Sequence, residues 1–212
     1  MTFFNFPGHF VYWTPMKKHE EMKNDIVSSI VNIKKTQTLE NPFKQCSMET
    51  NFNKDDIFLK HEHIHSIVHD TIKTMINESD NNFIKTLNPT KIKVFDYWFN
   101  FYKKGDFQEY HKHSNNGKHL INYINNKRYD LIFSLVYILH DKSPCDSLVF
   151  NLDDDNVPFT PNNCSVGIKT SDFTSIKEGT VIVFSSLLSH KVEKIKVPGR
   201  ITLAFNIGYN FQ

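Results

Sequence analysis

The chain has 212 residues, a formal net charge of +2 and a hydrophobic share of 39%. That length suits one domain with its own buried core, and near-neutral charge without a long basic block argues against a nucleic-acid surface. No apolar run approaches the roughly 20 residues that span a bilayer, and no leader of the signal-peptide kind opens the chain, so no membrane association is expected. Cys46, Cys145 and Cys164 are odd in number and match no zinc-ribbon spacing, which points to a reducing, cytoplasmic setting.

In chain order, Phe10-Val11-Tyr12-Trp13 reads as a first strand, and Thr14-Pro15 as a helix start with proline in the first turn. Met22, Ile26, Ile30 and Ile33 recur at three- and four-residue spacing, which predicts an amphipathic helix over 17–32. Residues 34–53 are polar and irregular and read as loop. A second helix is expected over 55–78, with Ile57, Ile64, Val68, Ile72 and Met75 on one face.

From Lys91 the period changes from 3.6 to 2. Strands are expected over 94–102, 131–139, 147–152, 180–184, 189–194 and 200–207, with a turn at Gly105-Asp106. The polar stretch 114–129 is long for a hairpin connection and reads as a mobile lid or a surface insertion. Asp153-Asp154-Asp155 lacks the rest of a calcium-loop pattern and reads as a solvated turn. In the last strand Arg200, Thr202, Ala204 and Asn206 share one face, and Ile201, Leu203, Phe205 and Ile207 share the other. A barrel with a wet interior and helices outside accounts for that split.

The chemistry concentrates in two places. His111 and His113 stand two apart in a strand-like run, so both can reach one ion. His190 ends a second such run, and Arg200 follows ten residues later, beyond a Pro198-Gly199 turn. Three imidazoles leave positions on an ion open, and a guanidinium holds a carboxylate through two hydrogen bonds. Asn100 and Asn206 could line the same pocket or satisfy backbone groups.

These residues resemble the Fe(II)- and 2-oxoglutarate-dependent dioxygenases, in particular the prolyl-hydroxylase-like branch. The resemblance runs over about residues 92–210. It rests on Tyr102-x-x-Gly105 before His111, Phe133 to Tyr137, Gly179-Thr-Val-Ile-Val-Phe before His190, and Gly199-Arg200-Ile201-Thr202. It implies a mainly β chain, a cupin-like double-stranded β-helix (jelly roll) over 91–212, supported by a helical region over 1–90 within a single domain. It also implies Fe(II) held by His111, His113 and His190. The 2-oxoglutarate co-substrate would be bound by Arg200 and Thr202, with Tyr102 and Tyr137 as further candidates. The implied reaction consumes O2, releases succinate and CO2, and hydroxylates a peptide side chain or a small molecule. Position 113 departs from the family, which usually carries Asp or Glu there.

Two other readings stand beside this one. A jelly roll without catalysis, acting as a metal-binding or interaction module, fits the missing acidic ligand. A zinc hydrolase would use His61, Glu62 and His65, which match the pattern H-E-x-x-H. By helical angle His61 falls in the apolar stripe and His65 on its flank, so a packed helix is the better account of that segment.

Overall fold

A computed structural model describes residues 3–6, 9–39, 41, 46–52, 57–113, 121–142, 148–151 and 167–212. The strands are β1 (Phe3–Phe6), β2 (His9–Pro15), β3 (Glu49–Thr50), β4 (Ile92–Tyr102), β5 (Gln108–His111) and β6 (Ile121–Ile124). They continue with β7 (Lys127–His140), β8 (Leu148–Asn151), β9 (Gly167–Lys169), β10 (Thr180–Ser185), β11 (Ser189–Val192) and β12 (Arg200–Tyr209). An eight-stranded sheet runs β1-β2-β10-β7-β12-β4-β3, with β6 paired to β7; a four-stranded sheet runs β5-β11-β8-β9. The pairings are antiparallel.

The period-2 reading of the second half is what builds this core. On β12, Ile201, Leu203, Phe205 and Ile207 turn to one side of the large sheet, where they pack with helical residues Ile26, Ile30, Val68, Ile72 and Met75. Burying each such side chain contributes about 1.5–3 kcal/mol. Arg200, Thr202 and Ala204 turn the other way, towards the small sheet. A second apolar cluster fills the space between the sheets, with Val11, Trp13, Ile138, Phe150, Ile182 and Phe184 at its centre. The result is three layers: helices, large sheet, small sheet.

The first ninety residues do more than support. Helix α1 (His19–Thr36) buries Met22, Ile26 and Ile30 as their spacing predicts. But β2 pairs with β10 and β3 with β4, so this region also supplies strands of the large sheet. Thr14 and Pro15 end β2 instead of starting the helix.

The second helical segment departs from its expected face. It consists of α2 (His61–Ile64), a π-helical stretch (His65–Asp70) and α3 (Thr71–Glu78). The wider π turns admit extra residues per turn, so the part before them is rotated relative to Ile72 and Met75. His61 is therefore exposed and His63 buried, the reverse of the simple helical count, and Ile57 is 87% exposed. His63 Nε2 lies 3.2 Å from Asp25 of α1.

The stretch 114–129 also differs from its reading. Residues 121–124 pair with 127–130 as a tight hairpin. Its turn is Asn125-Asn126, with φ of 52° and 62°. Two successive left-handed residues fit a type I′ turn, which suits the twist of the flanking strands, and asparagine tolerates that conformation better than most residues. Residues 114–120, Cys145, Asp153 to Asp155 and Cys164 lie outside the described residues. Among the described residues, no helix is long and apolar enough to cross a membrane.

Candidate metal centre

Strand pairing places the first two histidines. His111 on β5 and His190 on β11 are direct cross-strand partners, with ring centroids 4.2 Å apart. His113 is not on the strand with His111: β5 ends at His111, and His113 lies beyond it, its N–H donating to Ser186 O at 3.3 Å. That turn carries the third ring back to the pair, 5.0 Å from His190 and 5.5 Å from His111. One ring nitrogen from each lies within 4.8 Å of the others, and this is the sole cluster of metal-binding side chains among the described residues. The expected His61, Glu62 and His65 site does not form a comparable group, because α2 leaves His61 and Glu62 on the surface and His65 turns to Asp70 and His69.

The donor set suits a divalent ion. Each Nδ1 faces an oxygen: Glu109 O at 2.8 Å for His111, Leu188 O at 3.0 Å for His190 and Asn206 Oδ1 at 2.5 Å for His113. A carbonyl oxygen only accepts, so each Nδ1 carries the proton and each Nε2 keeps its lone pair for an ion. Burial depresses the His190 pKa well below its usual value, helped by the other two rings. Burial and the neighbouring His111 bring His113 down to about 4. Burial lowers His111 as well. The rings are neutral at neutral pH, the protonation state that ligation requires.

A narrow cavity leads from the triad to a charged end. Trp98, Asn100 and Tyr102 of β4 and their cross-strand partners Ala204, Thr202 and Arg200 of β12 line one wall, and Gln108, His111, Leu148, His190 and Val192 of the small sheet line the facing one. Arg200 is 1% exposed and pairs with Asp141 at 3.5 Å. Burial pushes the Tyr102 phenol up to about 12, with the Arg200 charge and a Thr202 hydrogen bond pulling the other way. Tyr102 is therefore a neutral donor beside the guanidinium. Gln108 joins the two ends, its side chain 3.4 Å from both Tyr102 Oη and His111 Nε2. Trp98 Nε1 and Asn100 Oδ1 are buried in the wall with no hydrogen-bond partner among the described residues. Leaving such atoms unmatched costs about 1–3 kcal/mol each, which a polar ligand in the cavity would offset.

Of the expected residues, His111, His113, His190, Tyr102, Arg200 and Thr202 line this cavity, and Tyr137 does not. Tyr137 is the cross-strand partner of Leu203, so it shares the helix-facing side of the sheet. Its hydroxyl meets His19 Nδ1 of α1 at 2.5 Å. Its neighbour Val136 is the residue that faces the cavity. Trp98, Gln108 and Ser134 were not anticipated. Alternation along β4 would have found Trp98, which shares a face with Asn100 and Tyr102; nothing local marks Gln108 or Ser134.

No protein-family model matches the sequence, and no curated protein sequence matches it. Solved structures do match the fold. OsALKBH1 aligns with a TM-score of 0.60 at 15% identity, covering 96% of this chain and 99% of that one. A Pseudomonas putida prolyl-4-hydroxylase aligns at 0.55 and 12% identity, covering 95% and 92%. HygX from Streptomyces hygroscopicus, in a structure with nickel and 2-oxoglutarate bound, aligns at 0.52 and 10% identity, covering 95% and 83%. The architecture is thus a double-stranded β-helix with N-terminal helices on its large sheet. More narrowly, it is the fold of the 2-oxoglutarate–Fe(II) oxygenases.

Proposed function

We propose that the chain is an Fe(II)- and 2-oxoglutarate-dependent oxygenase that hydroxylates a peptide side chain or a small molecule. One observation carries the reading: three neutral imidazoles and a buried arginine line one cavity. Its overall reaction consumes substrate, 2-oxoglutarate and O2 and yields hydroxylated substrate, succinate and CO2. When bound, the iron supplies the oxidising chemistry, with His111, His113 and His190 holding it through Nε2.

The chain's own residues bind and orient. Arg200 receives the distal carboxylate of the co-substrate through its planar fork, a charge-assisted bond strengthened by burial. Thr202 and Tyr102 donate hydroxyl hydrogens to the same carboxylate, and Tyr102 does so as a phenol because burial opposes its ionisation. Asn100 and Trp98 offer one acceptor and one donor along the wall. Leu148, Val136 and Val192 line the cavity with apolar surface and limit water. The peptide alternative draws on the likeness to a Trichoplax adhaerens prolyl hydroxylase, a structure in complex with a hypoxia-inducible-factor peptide fragment, at a TM-score of 0.53.

The test is anaerobic titration of the Fe(II)-loaded protein with 2-oxoglutarate, followed by its weak visible charge-transfer absorption. The band is expected in the wild type and absent in His190→Ala. Iron binding without a band would favour the second reading, a metal-binding jelly roll without this co-substrate, to which the all-imidazole triad also points.

A further inference from the structure

The three imidazoles are not held in the same way. His111 and His190 each bond to a backbone carbonyl two residues earlier, Glu109 O and Leu188 O. Those contacts are local and come with the strand. His113 lies past the end of β5, and its support comes from far away in sequence: Asn206 Oδ1 at 2.5 Å and Ser134 Oγ at 2.9 Å. Asn206 and Ser134 are cross-strand partners on β12 and β7, so one rung of the large sheet presents both groups to the ring. Trp98 and Phe184 flank it, with ring centroids 5.6 and 6.3 Å away.

The chemistry of this rung selects a tautomer. An amide oxygen is an acceptor alone, so the facing Nδ1 bears the hydrogen and Nε2 keeps its lone pair. The setting behind position 113 thus holds an imidazole whose Nδ1–H donates to Asn206 Oδ1.

Resting on the reading that this triad holds a divalent metal, we propose that Asn206 and Ser134 are positioning residues. They lock His113 as its Nδ1–H tautomer with Nε2 turned towards His111 and His190, so that the chain binds its metal through three neutral nitrogens.

The experiment is Co(II) titration of the apoprotein without 2-oxoglutarate or O2, with proton NMR of the Co(II) form in H2O. Outer partners of metal-bound histidines are worth about 10–100-fold in affinity. Asn206→Leu is expected to weaken Co(II) binding by about that factor, and Asn206→Asp, which still accepts from Nδ1–H, to keep it. The wild type should show three strongly shifted exchangeable ring N–H signals, His113→Ala two, and Asn206→Leu should lose the His113 signal to rapid exchange. Wild-type affinity with all three signals in Asn206→Leu would overturn the proposal, as would loss of affinity in Asn206→Asp. If Asn206→Leu does not fold, Asn206→Asp and Ser134→Ala decide the matter, the latter expected to weaken binding to a smaller extent. Wild-type Co(II) affinity in His111→Ala and His190→Ala would instead remove the metal-site reading itself.

Discussion

Arg200 Nε lies 3.5 Å from Asp141 Oδ2, with the two side chains 1% and 7% exposed. Asp141 is in turn tied down, because its backbone N–H donates to Glu178 Oε2 at 2.8 Å. Glu178 also binds Lys23 of α1 and lies 2.8 Å from His140 Nδ1. The cation at the end of the cavity is therefore oriented through a chain of contacts that reaches the helical layer.

Breaking that buried pair should cost more than replacing it. Asp141→Ala removes a carboxylate paired with a buried cation and is expected to destabilise the protein by about 3–5 kcal/mol. The double variant Asp141→Ala/Arg200→Met should be less destabilised than the single one, since neither charge remains. Urea unfolding of the wild type, Asp141→Ala, Arg200→Met and the double variant measures the coupling; equal stability for Asp141→Ala and the wild type would discount the pair. Arg200→Met should separately weaken 2-oxoglutarate binding by at least tenfold while Co(II) affinity stays unchanged.

Glu178 predicts an acid-sensitive junction. Burial raises its pKa, but the Lys23 and Asp141 N–H hydrogen bonds and the charges of Lys23 and His140 outweigh that and bring it down to about 2. A carboxylate with a depressed folded-state pKa binds fewer protons folded than unfolded. Its contribution is fully present above the unfolded value of about 4.3 and is lost as pH falls from there towards about 2. Melting temperature should drop over that window, and Glu178→Gln should be less stable at neutral pH with a shallower drop. Parallel curves for the two proteins would contradict this.

The two tyrosines separate packing from ligand binding. Tyr137→Phe leaves His19 Nδ1 without its partner in a buried setting and should cost about 1–3 kcal/mol of stability. Its affinity for 2-oxoglutarate should remain that of the wild type. Tyr102→Phe removes a donor beside Arg200 and should weaken 2-oxoglutarate binding several-fold with little change in metal affinity. Isothermal titration of both variants distinguishes them, and the reverse pattern would place the wrong tyrosine in the cavity.

Much of this site was legible because alternation along a strand is a strictly local property. The split of β12 into Arg200, Thr202, Ala204 and Asn206 against Ile201, Leu203, Phe205 and Ile207 follows from the sequence, and the structure places the two sets on opposite faces. The periodicity of Met22, Ile26 and Ile30 likewise gave α1 and its buried side. Tyr137 shows where local reasoning stops. Its strand was evident, but which face of that strand meets the cavity depends on its register against β12.

The sequence by itself determined the long strands β4, β7, β10 and β12, helix α1, and the histidines and arginine available for chemistry, because these depend on residue type and short-range period. Tertiary structure decided the rest. The π-helical stretch turned His61 outward and His63 inward, since packing against α1 and the sheet overrides a uniform helical count. Sheet pairing alone set His111 opposite His190, carried His113 to Asn206 and Ser134, and brought Asp141 to Arg200. Those contacts join residues as much as 93 positions apart, and a side chain's partner at that range is fixed by strand register and burial, which no local pattern encodes.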